Sequence, residues 1–140
     1  MFALCSEVSK TSHDPHRQVG CVITDSNGNV LVTGSNQLPI GISITKEKVS
    51  RPKKYLWIEH AERNAIYEAV RKGISLKGCV IYLNWWPCAE CTRAIIQSGI
   101  CKIVAPEMPN LEHPRWGEQF RVTFEMLDES NTTWEIKKEI

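Results

Sequence analysis

The sequence has no apolar run that approaches the length of a membrane-spanning helix. Its first residues lack a basic segment leading into a long apolar core, so no signal peptide is visible. These two absences predict a protein with no membrane partner that stays in the cytoplasm. Because thiols are kept reduced there, the six cysteines are not expected to form disulfides. Three of them, Cys21, Cys79 and Cys101, lie inside apolar runs and are typical of small core residues.

The chain also lacks an excess of charge of either sign. Its 17 basic and 16 acidic residues give a formal net charge of +1. Domains that bind nucleic acid usually carry a strong basic excess, so this balance predicts no nucleic-acid partner. A length of 140 residues predicts a single domain over residues 1–140. A chain of that length can bury a sizeable core, so a metal is not needed merely to hold it together.

Apolar periodicity and turn residues predict a layered α/β domain with one mixed sheet. An Asn27-Gly28 pair between two apolar runs predicts an antiparallel hairpin. The helix between the last two strands predicts a right-handed parallel crossover. The predicted helices cover residues 1–12, 60–72, 87–99 and 116–129. The predicted strands cover residues 18–25, 30–32, 78–84, 100–105 and 132–136.

Residues 36–59 form a long predicted connection without a periodic pattern. The connection holds two prolines, Pro39 and Pro52, and five basic residues between positions 46 and 54. A loop of this length in a compact domain is usually functional or disordered. Two interpretations are open: a solvated surface loop, or a lid or interface segment. The connection contains no Cys or His, so it should not carry a second zinc.

Two short motifs dominate the chain, His60-Ala61-Glu62 and Pro87-Cys88-Ala89-Glu90-Cys91. Two cysteines separated by two residues can bind one ion from the first turn of a helix, where thiolates are stabilised by the helix N-terminus. Alone, the pair could also be a redox pair or two core cysteines. Residues i and i+2 of a regular helix point to nearly opposite sides. His60 and Glu62 can therefore approach one metal only if His60 lies at the helix start.

The combined spacing is the signature of zinc-dependent nucleobase deaminases. His60, Cys88 and Cys91 are the predicted ligands of Zn²⁺, and three protein ligands leave a fourth position open, as in catalytic zinc sites. Glu62 is the predicted catalytic acid and base. Glu90 is a rival carboxylate, but an acid in the first turn of a helix is favoured there by the dipole without any catalytic role.

The chain resembles the deoxycytidylate (dCMP) deaminase family of the zinc-dependent cytidine deaminase superfamily. The resemblance runs from about residue 9 to residue 105. The segments that carry it are Ser12-His13-Asp14-Pro15, Gln18-Val19-Gly20, Gly34-Ser35-Asn36-Gln37-Leu38-Pro39, His60-Ala61-Glu62-Arg63-Asn64-Ala65-Ile66, Pro87-Cys88-Ala89-Glu90-Cys91 and Ile95-Ile96-Gln97-Ser98-Gly99-Ile100. It implies a three-layer α-β-α cytidine-deaminase-like fold, with a five-stranded mixed sheet and helices on both faces.

The resemblance also implies roles for residues outside the metal motifs. Asn36 would bind the sugar hydroxyl or hold the base region, and the Ala61 backbone would contact the pyrimidine. Trp86 would stack near the base, although a core aromatic is an equally good interpretation. Residues from Ser12 to Arg17 would meet the 5′-phosphate, with Arg17 as the best candidate because a guanidinium can bind phosphate through two donors. Arg17 could equally be a plain surface residue.

The leading functional hypothesis is hydrolytic deamination of a pyrimidine nucleotide, dCMP to dUMP plus ammonia. One alternative is a deaminase acting on a free base, a nucleoside or an RNA base. Another is a non-catalytic protein that keeps a structural zinc and binds nucleotides. The resemblance further implies a homo-oligomer, commonly a hexamer or tetramer, in which neighbouring subunits close the active site.

Overall fold

The computed structural model of the protein describes residues 1–138. It contains five strands and five helices within that range. The strands are β1 (Gly20–Thr24), β2 (Val30–Ser35), β3 (Val80–Leu83), β4 (Lys102–Ala105) and β5 (Thr133–Ile136). The helices are α1 (Phe2–Ser9), α2 (Lys54–Trp57), α3 (Ala61–Lys72), α4 (Ala89–Gln97) and α5 (Gly117–Glu129). The single-domain prediction extends to residues 139–140, which lie outside the described residues, and it stays a prediction.

The five strands form one mixed sheet in the order β2-β1-β3-β4-β5. Strand β1 runs antiparallel to both β2 and β3, whereas β3, β4 and β5 run parallel to one another. The predicted hairpin is confirmed: Gly28 has a φ of 86° in the turn, and the Asp25 carboxylate accepts the backbone N–H groups of Asn27 and Asn29. The predicted parallel pairing of the last two strands is confirmed as well.

Helices cover both faces of the sheet, so the predicted α-β-α layering is confirmed. Every residue of β1 is buried, as its almost continuous apolar run predicts. Alternate residues of β1 face opposite layers. Gly20 lies against α1, close to the Cys5 carbonyl, while the Cys21 thiol donates to the Ala61 carbonyl at the start of α3. The larger core lies on the α3 side, with Ile23, Ile81, Leu83, Ile95 and Ile103 fully buried.

Three local predictions are wrong. Cys101, predicted to be a core residue, is exposed, because it lies just before β4 at the end of the strand. The 36–59 connection is not wholly irregular, because it contains the short helix α2 and a bridge between Gln37 and Glu59 that returns the chain to the sheet edge. Pro87 does not open α4. That helix begins at Ala89 with Cys88 as its N-cap, which places Pro87 one residue before the cap. The first helical position after an N-cap suits proline, but here the extended backbone of Cys88 postpones the helix.

Helices α3 and α4 begin side by side at one end of the strands, and this arrangement brings the two metal motifs together. Helix α4 follows the carboxyl end of β3, the edge at which open α/β sheets usually bind ligands. Helix α3 packs on β1 and β2 and contacts α4. No helix in residues 1–138 is both long and apolar enough to cross a membrane.

Close approach of β2 to α3 requires the glycine at position 34. A Cβ there would lie 2.4 Å from the Ala61 carbonyl oxygen and 2.6 Å from the Ala65 nitrogen, both backbone atoms. We expect Gly34→Ala to lower the free energy of unfolding by about 1–3 kcal/mol, because an added methyl must push α3 off the sheet. Urea unfolding would measure the loss.

A matched control for this substitution is Gly28→Ala. A Cβ at Gly28 meets no atom within 4 Å, so that variant suffers only from its positive φ of 86°. Gly34→Ala should also weaken zinc retention, since it displaces the start of α3 that carries His60, whereas Gly28→Ala should not. Equal zinc retention in the two variants would contradict the inference that close packing of β2 against α3 positions His60.

Candidate active site

His60 and Cys88 occupy equivalent positions at the starts of two neighbouring helices. Each is an N-cap with extended backbone, His60 at φ −70° and ψ 151°, and Cys88 at φ −72° and ψ 174°. The prediction that His60 precedes the regular part of its helix is therefore confirmed. The Cys91 side chain lies one turn into α4 and is completely buried. The two helix starts thus direct three soft or borderline ligands toward one point.

The distances among these three side chains fit one tetrahedral zinc. His60 Nδ1 lies 3.6 Å from Cys88 Sγ and 3.4 Å from Cys91 Sγ. Zinc bonds of about 2.0 Å to nitrogen and 2.3 Å to sulfur at a tetrahedral angle separate the two ligand atoms by about 3.5 Å. All three ligand atoms lie within 4.8 Å of one another. Within residues 1–138 no other group of three such side chains has comparable geometry.

Thiolate character at the site also suits a metal. The Cys91 thiol and the His60 ring lower the pKa of the Cys88 thiol. The extended N-cap backbone places Cys88 at the positive end of α4, which favours a negative charge there. Because the thiolate is the form that binds metal, Cys88 is prepared for a cation, whereas the hydrogen bond with Cys88 and burial raise the pKa of the Cys91 thiol.

Glu62 lies in the first turn of α3, beside the three ligands, and only 4% of it is exposed. Burial raises the pKa of its carboxyl, while the His60 ring acts in the opposite direction. A raised pKa brings a carboxyl closer to the range in which it can both take up and release a proton. Glu62 also lines the cavity in front of the metal ligands.

Glu90, the other candidate for the catalytic carboxylate, does not line this cavity. Its carboxylate accepts a hydrogen bond from the Arg63 guanidinium at 2.8 Å, and its side chain is 64% exposed. Arg63 also pairs with Glu59, so one arginine joins the residue before His60 to the middle of the Cys-x-x-Cys turn. Glu90 therefore ties the two motifs together from outside.

A cavity borders the candidate metal cluster, of which His60 and Cys88 belong to its lining. It is lined by acidic and basic side chains, by aromatic rings and by one face of the α3 start. The lining residues are Asp14, Arg17, Val19, Asn36, Arg51, Lys54, Tyr55, Ile58, His60, Ala61, Glu62, Trp85, Trp86, Cys88, Trp116 and Phe120. Four of the five predicted substrate-binding residues belong to this set: Arg17, Asn36, Ala61 and Trp86.

Asn36 lines the cavity wall, and both ends of its carboxamide are engaged with backbone. The carboxamide oxygen accepts the Val19 N–H at 2.9 Å, and Nδ2 donates to the Arg17 carbonyl at 2.8 Å. The side chain therefore fixes the segment that carries Arg17. Direct binding of a sugar hydroxyl by Asn36 stays a prediction.

Trp86 combines the two interpretations that its sequence position left open. Its indole N–H donates to the Thr123 hydroxyl at 2.8 Å, and its ring stacks on Phe124 with centroids 4.5 Å apart. These contacts make it a core residue, yet the same ring lines the cavity. Stacking against a base stays a prediction.

Ser12 is the predicted substrate-binding residue that the fold does not bring to the cavity lining. Its hydroxyl donates to the Asn36 carbonyl at 3.0 Å and accepts the Asp14 N–H at 3.1 Å. The observed role of Ser12 is to hold the loop that leads to Arg17. Its contact with phosphate stays a prediction.

Several lining residues were not predicted, and most of them come from distant segments. Arg51, Lys54, Tyr55 and Ile58 belong to the 36–59 connection, which folds over the cavity. Trp116 and Phe120 come from the start of α5, where the sequence pattern indicated only a core-facing stripe. The basic run between positions 46 and 54 was a signal that this connection carries charge. It could not tell which of the five basic side chains reaches the cavity.

A buried ion pair joins the 36–59 connection to the loop before β1. Lys54 Nζ lies 2.9 Å from Asp14 Oδ2, and each side chain is only 6% exposed. Burial alone would raise the pKa of Asp14, but the Lys54 ammonium and the backbone N–H groups of His16 and Arg17 outweigh burial and hold that pKa below its usual value. The pair therefore fixes the connection over the cavity.

We expect Asp14→Asn to lower the free energy of unfolding by about 3–5 kcal/mol at pH 7, because it leaves the Lys54 ammonium buried without its counter-charge. The Asp14 carboxylate stabilises the wild type above its unfolded pKa of about 3.9, and this contribution is lost as the pH falls through the lower folded pKa. The difference between the two proteins should therefore shrink in acid. Urea unfolding from pH 7 to pH 3 measures it, and the shared zinc ligands cancel in the comparison.

The double variant Asp14→Asn/Lys54→Met serves as the control for that experiment. It removes both charges, so most of the stability lost by the single variant should return. A double variant no more stable than Asp14→Asn alone would show that the ion pair is not the source of the effect.

Comparison with known proteins agrees with this geometry. The model of the cytidine and deoxycytidylate deaminase zinc-binding region matches residues 1–107, which include both metal motifs. The chain belongs to the cytidine and deoxycytidylate deaminase family. The resemblance inferred from the motifs is thereby confirmed, and with it the assignment of the chain to a zinc-binding family.

Relatives within the deaminase family differ in how much of their length the chain covers. An uncharacterized deaminase in the luxG 3′ region of Aliivibrio fischeri is 38% identical over 135 residues, which span 95% of this chain and 89% of that protein. The deoxycytidylate deaminase of Homo sapiens is 34% identical over 102 residues, 69% of this chain and 56% of that protein. The chain therefore spans little more than half the length of the human relative.

The fold recurs in a deaminase of known structure. The dCMP deaminase of the cyanophage S-TIM5, solved in complex with dCMP and dUMP, has a TM-score of 0.75 to this chain and is 21% identical. The match covers 96% of this chain and 92% of that one. At this level of identity the likeness shows a shared fold, and it confirms the three-layer cytidine-deaminase-like architecture predicted for the five-stranded sheet.

Proposed function

We propose that this deaminase-family chain catalyses the zinc-dependent hydrolytic deamination of a pyrimidine nucleotide, dCMP to dUMP plus ammonia. The observation that carries the proposal is a single cavity lined by His60 and Cys88 of the candidate metal cluster, by the buried Glu62 carboxylate and by two arginines, Arg17 and Arg51. The histidine, cysteine and carboxylate side chains suit removal of an amino group from a base. The arginine side chains suit binding of a phosphate.

Each of the four candidate residues in the two metal motifs has a defined task in the proposed reaction. His60, Cys88 and Cys91 would hold the zinc, which when bound supplies a water of lowered pKa. Glu62 would accept one proton from the attacking water and deliver it to the ring nitrogen, then accept the second proton from the new hydroxyl on the ring carbon and deliver it to the departing amino group. Water oxygen is thereby added at the ring carbon, the carbon–nitrogen bond breaks, and ammonia leaves.

The Arg17 side chain in the cavity lining supports a nucleotide rather than a base or nucleoside. The Arg17 guanidinium lies over the Trp85 ring, 4.5 Å from its centroid, and lines the cavity. It forms no ion pair with any side chain in residues 1–138, so it is available to a phosphate through two parallel donors. A free base or nucleoside would leave this charge unused.

A substrate panel on zinc-loaded protein tests the proposal. Cytosine, cytidine, CMP, dCMP and dCTP would be compared by kcat/KM, and dCMP should be the best substrate. Turnover of cytosine or cytidine alone would overturn the nucleotide assignment. Bound zinc with no turnover of any member would favour the non-catalytic zinc protein instead.

We also propose a homo-oligomer, hexamer or tetramer, that resides in the cytoplasm. Large apolar side chains are exposed on the 36–59 connection, with Leu56 at 86% and Ile40 at 78% exposure, and burial against other subunits would remove them from water. All six cysteines are free thiols, which suits a reducing compartment. A monomeric mass by light scattering would contradict the oligomer.

A further inference from the structure

Two arginines, Arg17 and Arg51, line the cavity without an ion-pair partner among the described residues. From the sequence, a phosphate contact is predicted only for Arg17. The charged side chains of the cavity wall, apart from the metal ligands, are Asp14, Lys54, Glu62, Arg17 and Arg51. Asp14 and Lys54 neutralise each other as a buried pair, and Glu62 lies beside the metal ligands. Neither Arg17 nor Arg51 is ion-paired within residues 1–138. The cavity lining therefore carries two arginine charges that have no ion-pair partner among the described residues.

The Asp14 carboxylate of the buried pair fixes the backbone close to both arginines. Asp14 Oδ1 accepts the backbone N–H groups of His16 at 2.9 Å and Arg17 at 3.2 Å, while Oδ2 accepts from Lys54 Nζ. Arg17 lies three residues after Asp14, and Arg51 lies three residues before Lys54. In addition, the Lys54 N–H donates to the Ser50 carbonyl at 2.8 Å, which closes a turn around Arg51. The contact that closes the connection over the cavity thus also fixes the two arginine-bearing backbones relative to each other.

Two guanidinium groups match the charge of one phosphate monoester. A monoester carries a charge of about −1.5 to −2 at pH 7, since its second pKa is about 6. One arginine would leave such a group half neutralised, whereas two arginines supply the opposite charge and planar pairs of donors. The cation–π contact with the Trp85 ring favours one position of the Arg17 guanidinium.

We propose that Arg51 is a second phosphate-binding residue, which acts with Arg17 on the monoester of the substrate, and that Asp14 and Lys54 are positioning residues for the two. This proposal rests on the proposed function in that it takes a nucleoside monophosphate as the substrate class. It assigns the 36–59 connection a role in specificity, because that connection supplies one of the two charges that separate a nucleotide from a nucleoside.

Kinetics of Arg51→Gln with dCMP and with deoxycytidine test the assignment. Loss of a charged hydrogen-bonding partner should lower kcat/KM for dCMP by about 10- to 100-fold, mainly through KM, and leave the value for deoxycytidine unchanged. Arg51→Lys should recover part of the loss, because it restores the charge but not the paired donors. Equal losses for both substrates, or no loss for dCMP, would overturn the proposal.

Lys53→Gln is the matched control for charge on the same connection. Lys53 pairs with Glu47 on the surface and does not line the cavity, so dCMP kinetics should stay at the wild-type level. An effect as large as that of Arg51→Gln would mean that the general charge of the connection matters, which contradicts a specific site.

The positioning role has its own readout. Lys54→Met should raise KM for dCMP more than it changes kcat, and Lys54→Arg should restore KM by renewing the pair with Asp14. A parallel loss with deoxycytidine that Lys54→Arg does not restore would indicate a merely structural role and overturn the positioning assignment.

A binding measurement separates failure of this proposal from failure of the proposed function. Calorimetric titration of the protein with dUMP and with deoxyuridine needs no turnover. Wild-type protein should prefer dUMP, and Arg51→Gln should lose about 10- to 100-fold of that preference. A preference for dUMP that survives in Arg51→Gln would overturn the role of Arg51 alone. No preference in the wild type would overturn the nucleotide assignment as well.

Discussion

Replacing Glu62 with Gln is expected to leave zinc bound and to lower kcat for dCMP by about 10²- to 10⁴-fold. The amide has nearly the shape of the carboxylate and can stay in the buried position beside the ligands, but it cannot accept or return a proton. The three ligands His60, Cys88 and Cys91 are untouched, so the metal content should stay at the wild-type level. Steady-state kinetics and metal analysis on one preparation give both quantities.

The matched control is Glu90→Gln, the same chemical change at the other carboxylate of the two motifs. Glu90 is largely exposed and pairs with Arg63 outside the cavity, and such a pair contributes at most about 1 kcal/mol. Its kcat should stay within a few-fold of the wild-type value. A Glu62→Gln variant as active as Glu90→Gln would refute Glu62 as the proton carrier.

Replacing Cys91 with Ala is expected to abolish both zinc binding and activity. The Cys91 thiol is fully buried at the point where the two helix starts meet, 3.4 Å from His60 Nδ1, and no water can easily take its place. Two remaining ligands do not hold zinc against a chelator, since tetrahedral sites need at least three protein ligands. Metal content after dialysis against a chelator, together with turnover of dCMP, measures the effect.

Cys101→Ser provides the matched control for Cys91→Ala. The Cys101 thiol is exposed and donates to the Gly78 carbonyl, at the end of the parallel strands opposite the metal ligands. This variant should keep its zinc and its activity. Retention of one zinc per chain by Cys91→Ala after dialysis would exclude Cys91 as a ligand and reopen the redox or core interpretations of the Cys-x-x-Cys pair.

The position of His60 shows how far local pattern can go. An i, i+2 pair can share a metal only at a helix start, and the apolar stripe that begins at Ala61 put His60 at that point. The observed N-cap conformation of His60 agrees. The same reasoning was wrong by one position at Pro87, because proline favours the first turn but the Cys88 N-cap takes an extended backbone that delays the helix.

The structure of the 36–59 connection could not be predicted from the local sequence pattern. Its prolines and basic residues indicated a functional or disordered loop, and no periodicity distinguished α2 within it. One contact that holds the connection is the Asp14–Lys54 pair, whose partners lie 40 residues apart in sequence. Which basic residue would be buried, which paired at the surface and which turned into the cavity depends on that long-range contact.

The candidate metal ligands, the candidate acid and base, the α/β order and the family could be predicted from short motifs and periodicity, because metal ligation and helix starts are governed by spacing along a few residues. The burial of Glu62 and the way the cavity is built around His60 and Cys88 could not, because they depend on tertiary packing. Trp116 and Phe120 of α5, Trp86 on its Thr123 contact, and Arg17 and Arg51 on either side of the buried pair meet there because of packing between distant segments. In the proposed function, substrate recognition depends on those long-range contacts, which no local pattern of residues encodes.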